Sequence, residues 1–254
     1  TIGAINLEDI AAPLCFEVEE RLKNDLKIPV FHDDQHGTAV VTLAGLINAM
    51  KVTGKDLNNC RIVVNGVGAA GVAIIKLIKL YAPDAHILGL DSKGVISRKR
   101  TDLNSSKLFL LDNNLIEGDV DGMLADALVD ADIFIGVSQA NLLTESHVKS
   151  MSNDPIIFGL ANPIPEIMPD LAKQAGARII ATGRSDFPNQ VNNAVAFPGI
   201  FRGALDNGVT KITDQHKLEA AVAIANLVEN PSEDLIIPSV MEERLVSEIA
   251  KVII

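Results

Sequence analysis

Arg61-Ile62-Val63-Val64-Asn65-Gly66-Val67-Gly68-Ala69-Ala70-Gly71 is a β-branched run that breaks into regularly spaced glycines. β-Branched residues suit a buried strand. Val72 to Tyr81 follows with apolar residues at helical spacing, so the stretch reads strand, GxGxxG, helix. Gly66 allows the tight turn, Gly68 lets the backbone approach a pyrophosphate, and Gly71 lets the helix pack close to the sheet. Phosphates would sit on free amides of the loop Gly66, Val67, Gly68, Ala69, Ala70 and Gly71, at the positive helix end. A second strand, His86 to Leu90, ends at Asp91. That acid lies 20 residues past Gly71, where a dinucleotide-binding fold accepts hydrogen bonds from the adenosine ribose. A carboxylate there repels a 2′-phosphate and argues for NAD over NADP. Lys93, two residues on, softens that preference and keeps NADP open.

Further strands follow downstream. Ile133 to Val137 ends at Ser138, Ile156 to Ala161 ends at Asn162-Pro163, and Ala177 to Thr182 ends at Gly183-Arg184-Ser185. Helical patterns lie between them, at Met123 to Val129 and from an N-cap at Thr144 through Ser150. Alternating strands and helices predict an α/β fold, a doubly wound parallel sheet of the Rossmann-like kind. Polar residues gather where strands end: Asp91, Ser138, Asn162 and Arg184. Residues 92–120 are polar and poorly periodic. The basic run Arg98-Lys99-Arg100 reads as a solvated loop, with a cofactor-phosphate contact as the alternative.

Upstream, Ile28 to Phe31 reads as a strand end that runs into His32-Asp33-Asp34-Gln35-His36-Gly37-Thr38. The nearly all-apolar segment Ala39 to Met50 then reads as a buried helix. One Asp suffices to N-cap that helix. A second, beside two histidines, points to a hard-metal or substrate site. Glu8-Asp9 is another acidic pair, ahead of a helix over Phe16 to Leu26 with a charged face of Glu17, Glu19, Glu20, Arg21 and Lys23. Alone, Glu8 and Asp9 read as first-turn acids of that helix. Together with Asp33 and Asp34 they form two pairs that can converge on one ion. Mg²⁺ and Mn²⁺ prefer carboxylate oxygens, with water and substrate completing the shell.

Near the other end, Asn189-Gln190-Val191-Asn192-Asn193 precedes a helical region. It reads either as an Asn-rich turn with a cap or as neutral amide donors for substrate carboxylates and the nicotinamide. Residues 200–228 read as helical with a break near Asn207-Gly208, and Pro238 to Ile254 as a final helix.

The chain has 254 residues, 48 % hydrophobic but only 4 % aromatic, so its core is aliphatic. That suits parallel strands covered by helices. A net charge of −11 argues against nucleic acid and anionic membranes as partners. Cys15 and Cys60 stand in no metal-binding spacing, which predicts free thiols in a reducing, cytoplasmic setting. No apolar run reaches membrane-spanning length. The start at Thr1 suggests a chain that begins inside a longer protein.

Ile5 to Ile10, Phe31 to Thr38, Gly66 to Gly71, Asp91-Ser92-Lys93-Gly94, Phe134 to Ser138, Leu160 to Pro163 and Asn192 to Gly199 stand in one order along the chain. In that order they resemble malic enzyme of the compact bacterial or archaeal type. The resemblance implies oxidative decarboxylation of (S)-malate to pyruvate and CO₂ with hydride transfer to NAD. It implies Glu8, Asp9 and Asp34 as ligands of Mg²⁺ or Mn²⁺, with Asp33 beside them bonding the family's catalytic lysine. It implies Asn162 and Asn193 on the substrate, Asn192 near the nicotinamide, and Gly66, Gly68, Gly71, Asp91, Ser138 and again Asn162 on the cofactor. The family's general-acid tyrosine and general-base lysine lie upstream of the first acidic motif. The only tyrosine here, Tyr81, matches neither position. After Ser138 the turn is Gln139-Ala140-Asn141 where a glycine is expected, and Asn tolerates φ > 0 there.

The implied organisation is residues 1–34 as the end of a substrate and metal domain and 35–192 as the dinucleotide domain. Residues 193–254 would be a helical return onto the substrate domain, and the whole a homodimer. The rival readings are a malolactic enzyme, a non-catalytic dinucleotide-binding module and, lowest, an amino-acid dehydrogenase, which has no use for two acidic pairs.

Overall fold

The computed structural model describes residues 2–254; Thr1, the first residue of the 1–34 segment, lies outside them. Six strands form the main sheet: β3 (Arg61–Asn65), β4 (His86–Asp91), β5 (Gly94–Val95), β6 (Ile133–Gly136), β7 (Ile156–Gly159) and β8 (Ile179–Thr182), in spatial order β5-β4-β3-β6-β7-β8. All pair in parallel except β5, which runs antiparallel to β4 at the edge. The predicted α/β doubly wound sheet is therefore what the chain adopts.

The central strands are apolar on both sides because both faces are covered. Ile62, Val64, Ile133, Ile135 and Phe158 point into one core, whereas Val63, Leu88, Phe134 and Ile157 point into the other. The first core is closed by α2 (Thr38–Thr53), α3 (Ala69–Tyr81), α8 (Phe197–Asp206), α9 (Asp214–Asn226) and α10 (Leu245–Ala250). The second is closed by α5 (Leu124–Leu128), α6 (Glu145–Ser150) and α7 (Pro169–Gln174). Thr144 caps α6 through its hydroxyl, as the sequence predicts.

Two elements appear in the polar stretch 92–120. They are β5, which exists through its pairing with Leu90 and Asp91, and α4 (Ser105–Asp112), capped by Asn104. The predicted C-terminal helix is shorter than expected, confined to Leu245–Ala250.

A separate two-stranded parallel sheet joins β1 (Ile5–Leu7) to β2 (Val30–His32), with α1 (Leu14–Asp25) between them. The segment 193–254 packs chiefly on α2. Asn48, fully buried in that helix, donates from Nδ2 to the carbonyls of Ala225 and Ile236, both at 2.9 Å. Phe201 of α8 also meets Phe31 of β2 edge-on. Among the described residues no helix is long and apolar enough to cross a membrane.

Candidate functional site

In doubly wound sheets ligands bind beyond the strand carboxyl ends, where the strand order reverses. Here that point lies between β3 and β6. Gly66 ends β3 with φ 104°, and a Cβ on it would meet the Val137 carbonyl at 2.7 Å. Asn65 Nδ2 donates to Ser138 Oγ at 2.7 Å, tying the two strand ends together. A Cβ on Gly71 would run into the Gly66 carbonyl, which is why the first turn of α3 can lie against the loop. The loop differs from expectation at three residues. Gly66 and Val67 donate their N–H groups to the Leu90 carbonyl and Gly68 donates to the Gly66 carbonyl, so none of the three offers an amide to a phosphate. The free donors are those of Ala69, Ala70 and Gly71, the first residues of α3, whose N–H groups have no intrahelical acceptor.

Asp91 stands at the end of β4, as predicted, but is already engaged. Its Oδ1 accepts from the Lys93 amide (2.9 Å) and Arg100 Nη1 (2.8 Å), and its Oδ2 from Arg100 Nη2 (3.0 Å) and Lys107 Nζ (2.5 Å). Four donors fill the acceptor capacity of a carboxylate. Burial pushes this carboxyl up, but Arg100, Lys107 and the Lys93 amide outweigh it and hold it at about 2. Arg98 and Lys99 lie on the surface, as the loop reading expects. Arg100 does not: it turns inward onto Asp91, and its side chain is only 15 % exposed.

Sequence reasoning missed Glu166, which is fully buried. It accepts from the Ser138 amide at 3.0 Å and the Ala161 amide at 3.0 Å, so one carboxylate fixes the ends of β6 and β7. Burial pushes its carboxyl up, opposed by those amides. Gly136 makes room for it, since a Cβ there would overlap the Glu166 carboxylate. An acid set between buried Pro165 and Ile167 was the available signal. Asn162, just beyond the Ala161 amide, is exposed on the crevice side of the sheet's carboxyl edge.

The acidic pairs come together through strand register. Leu7 pairs with His32, so Glu8 and Asp9 leave β1 alongside Asp33 and Asp34 leaving β2. The Asp9 amide donates to Asp34 Oδ2 at 2.8 Å. Asp33 to Gly37 form a π-helical turn leading into α2. Asp33 is fully buried; its Oδ2 accepts from Asn193 Nδ2 at 2.6 Å and its Oδ1 has no partner among the described residues. Burial first, then the charges of Glu8 and Asp34, push Asp33 up to about 7. Among the described residues no three histidine, cysteine or acidic side chains already stand in a metal-holding array. The donor chemistry nevertheless fits a hard divalent cation: the carboxylates are adjacent, mutually repelling, and include an unpartnered buried oxygen. His32, also fully buried, has no hydrogen-bond partner among the described residues on either ring nitrogen.

The Asn-rich turn divides its work. Asn193 reaches Asp33 rather than open space, and Asn192 caps the following turn by accepting from the Ala194 amide at 2.9 Å. Asn189 is structural: its Nδ2 donates to the Ile180 and Glu233 carbonyls and its Oδ1 accepts from the Ile236 amide. Tyr81 lies 40 % exposed at the far end of α3, away from these groups. The charged face read on α1 also differs, because Glu19 is buried and accepts from His36 Nε2 at 2.8 Å.

Comparison with known proteins is consistent along the whole chain. The family model for the NAD-binding domain of malic enzyme matches residues 35–254. A bifunctional malic/malolactic enzyme of Bacillus subtilis is 52 % identical over 255 residues, covering 100 % of this chain and 62 % of that protein. An NADP-dependent malic enzyme of Halomonas elongata is 44 % identical, covering 99 % of this chain and 63 % of its own length. The crystal structure of an NAD-dependent malic enzyme from Thermotoga maritima superposes with a TM-score of 0.93 at 44 % identity, covering 99 % of this chain and 66 % of that one. The chain thus spans somewhat less than two thirds of these curated relatives.

Proposed function

The chain belongs to the malic enzyme family, and from that premise we propose that the complete protein oxidatively decarboxylates (S)-malate to pyruvate and CO₂. NAD is the hydride acceptor and Mg²⁺ or Mn²⁺ the metal. What supports this reading above all is the register of β1 on β2, which sets Glu8-Asp9 beside Asp33-Asp34. Mutual repulsion among these acids is relieved by a divalent cation and by little else of comparable size.

Glu8, Asp9 and Asp34 would hold the cation, and Asp33 with Asn193 would back them. When bound, the cation supplies positive charge where the C2 oxygen and later the enolate become negative, and the nicotinamide accepts the C2 hydride. The chain's own residues do the rest by position. Ala69, Ala70 and Gly71 offer amides to the pyrophosphate at the positive end of α3. Ser138 and Asn162 line the strand ends that Glu166 holds rigid, and a rigid frame keeps C2 and the nicotinamide at reacting distance. Neutral amides such as Asn162 can grip malate without cancelling the cation's charge. Asp33, buried and bonded to Asn193, would hydrogen-bond the family's catalytic lysine. Two buried free thiols, Cys15 and Cys60, suit the reducing cytoplasm, and we take the working form to be a homodimer.

A second reading, NADP as the nucleotide, is favoured by one observation. Asp91 is saturated by Lys93, Arg100 and Lys107, so that corner already carries cations able to meet a 2′-phosphate. The ratio of kcat/KM for the two nucleotides separates the readings.

The test is reduction of NAD by malate in the full-length protein, with and without Mn²⁺, in the wild type and in Asp34→Ala. Activity that persists after chelation and after that substitution overturns the metal-dependent reading. Labelled malate distinguishes free NADH and pyruvate from the malolactic outcome, lactate without net NADH.

A further inference from the structure

The π-helical turn Asp33–Gly37 has two faces. Its front is held by Asn193, which bonds Asp33, and by Gly37, which packs against Asp33 and Asn193. Its back is tied by side-chain hydrogen bonds to Glu19. Glu19 of α1, only 6 % exposed, accepts from His36 Nε2 at 2.8 Å to Oε1 and 3.0 Å to Oε2, and lies 3.5 Å from Gln35 Nε2. Lys23 Nζ sits 2.5 Å from Oε1, one turn along the same helix. Burial raises the Glu19 carboxyl, but His36 and Lys23 outweigh it and leave Glu19 ionised, at about 2.

The helix carrying Glu19 begins five residues after Asp9. Both acidic segments therefore meet in this one carboxylate: α1 continues the chain from Glu8-Asp9, and His36 and Gln35 continue it from Asp33-Asp34. The ladder of β1 on β2 sets the two segments side by side below, and the Glu19 contacts fix their spacing from behind. A π-turn is a rare single-turn departure from the α-helical ladder, so its shape depends on such outside ties.

We infer that Glu19 is a positioning residue, which sets the separation of the Glu8-Asp9 and Asp33-Asp34 segments through His36 and Gln35. As a statement about divalent-cation binding, this rests on the metal reading proposed above. Outer groups that orient metal ligands are commonly worth about tenfold to a hundredfold in metal affinity.

The experiment uses the full-length protein with Mn²⁺ as probe, its dissociation constant read by electron paramagnetic resonance. Amide hydrogen exchange over residues 32–38 is followed without metal. In Glu19→Gln the Mn²⁺ dissociation constant rises about tenfold or more and exchange at 32–38 quickens, while NAD affinity stays within about twofold. His36→Gln, which keeps a side-chain N–H facing Glu19, loses clearly less. The comparison variant is Asp132→Asn, which breaks a part-buried ion pair with Lys55 and a bond to the Arg61 amide at the opposite edge of the sheet. It lowers the melting temperature and leaves Mn²⁺ binding intact. Unchanged exchange at 32–38 in Glu19→Gln overturns the inference, as does unchanged Mn²⁺ affinity. An equal Mn²⁺ loss in Asp132→Asn also overturns it, because general softening then explains the effect. A wild type that fails to bind Mn²⁺ while Glu19→Gln still quickens exchange counts against the metal reading and upholds the positioning role.

Discussion

Replacing Asp91 by Asn should destabilise this protein by an amount that can be worked out beforehand. The carboxyl is held at about 2 against an ordinary aspartate value of 3.8. A gap of nearly two pH units corresponds to about 2.5 kcal/mol of stability at neutral pH. The group is 14 % exposed, and its partners Arg100 and Lys107 are 15 % and 17 % exposed, so solvent screening takes little of this. A folded pKa below the unfolded one gives stability that is complete above about pH 4–5. It is lost as the pH falls through about 2. Asp91→Asn should therefore melt about 5–10 °C below wild type at pH 7, taking about 2–4 °C per kcal/mol for a chain of this size. The two should converge as the pH is lowered from 4 toward 2. Arg100 keeps Asp102 as a partner in the variant, whereas Lys107 loses its only partner among the described residues. Combining Asp91→Asn with Lys107→Met should consequently cost less than the two single changes added together. Thermal melts followed by circular dichroism at several pH values measure all of this. An Asp91→Asn protein that melts with wild type at pH 7, or a gap indifferent to pH between 4 and 2, refutes the reasoning.

Gly71→Ala places a methyl group against the Gly66 carbonyl and should weaken NAD binding about tenfold or more, at about 1.4 kcal/mol per decade, while the far-ultraviolet spectrum stays native; calorimetric titration reads it. Glu166→Gln turns one acceptor into a donor facing a buried amide. One hydrogen bond to a charged group is worth about 1.5–3 kcal/mol, so the melting temperature should fall by about 3–12 °C and NAD affinity should fall with it. Asn189→Leu strands the Ile180 and Glu233 carbonyls and the Ile236 amide; urea unfolding should show a loss of about 2–4 kcal/mol with little change in the nucleotide dissociation constant.

The strands β3, β4, β6, β7 and β8 were legible because each is an apolar run closed by glycine, proline or a polar residue, and α2 and α3 because their apolar content is nearly continuous. What escaped was fixed by pairing partners rather than by the local residue pattern. β1 is three residues long and becomes a strand through its pairing with β2. β5 is two residues long and owes its form to the end of β4. The same holds at the candidate site. GxGxxG located the turn, but nothing local says that Val67 gives its amide to Leu90. Arg100 sits in a run of three cations, and only its bond to Asp91, nine residues earlier, separates it from Arg98 and Lys99. Glu19 stands among helix charges and differs from Glu17 and Glu20 by facing His36.

Asn48 bears on any attempt to borrow parts of this molecule. Both hydrogens of its amide are taken by carbonyls from the chain's last quarter, and the same helix is buried from Ala39 to Ala49. A graft cut after residue 192 would leave α2 bare along its outer side, with an unsatisfied amide at its centre. A chimera that transplants the nucleotide pocket has to carry residues 193–254 along as lining.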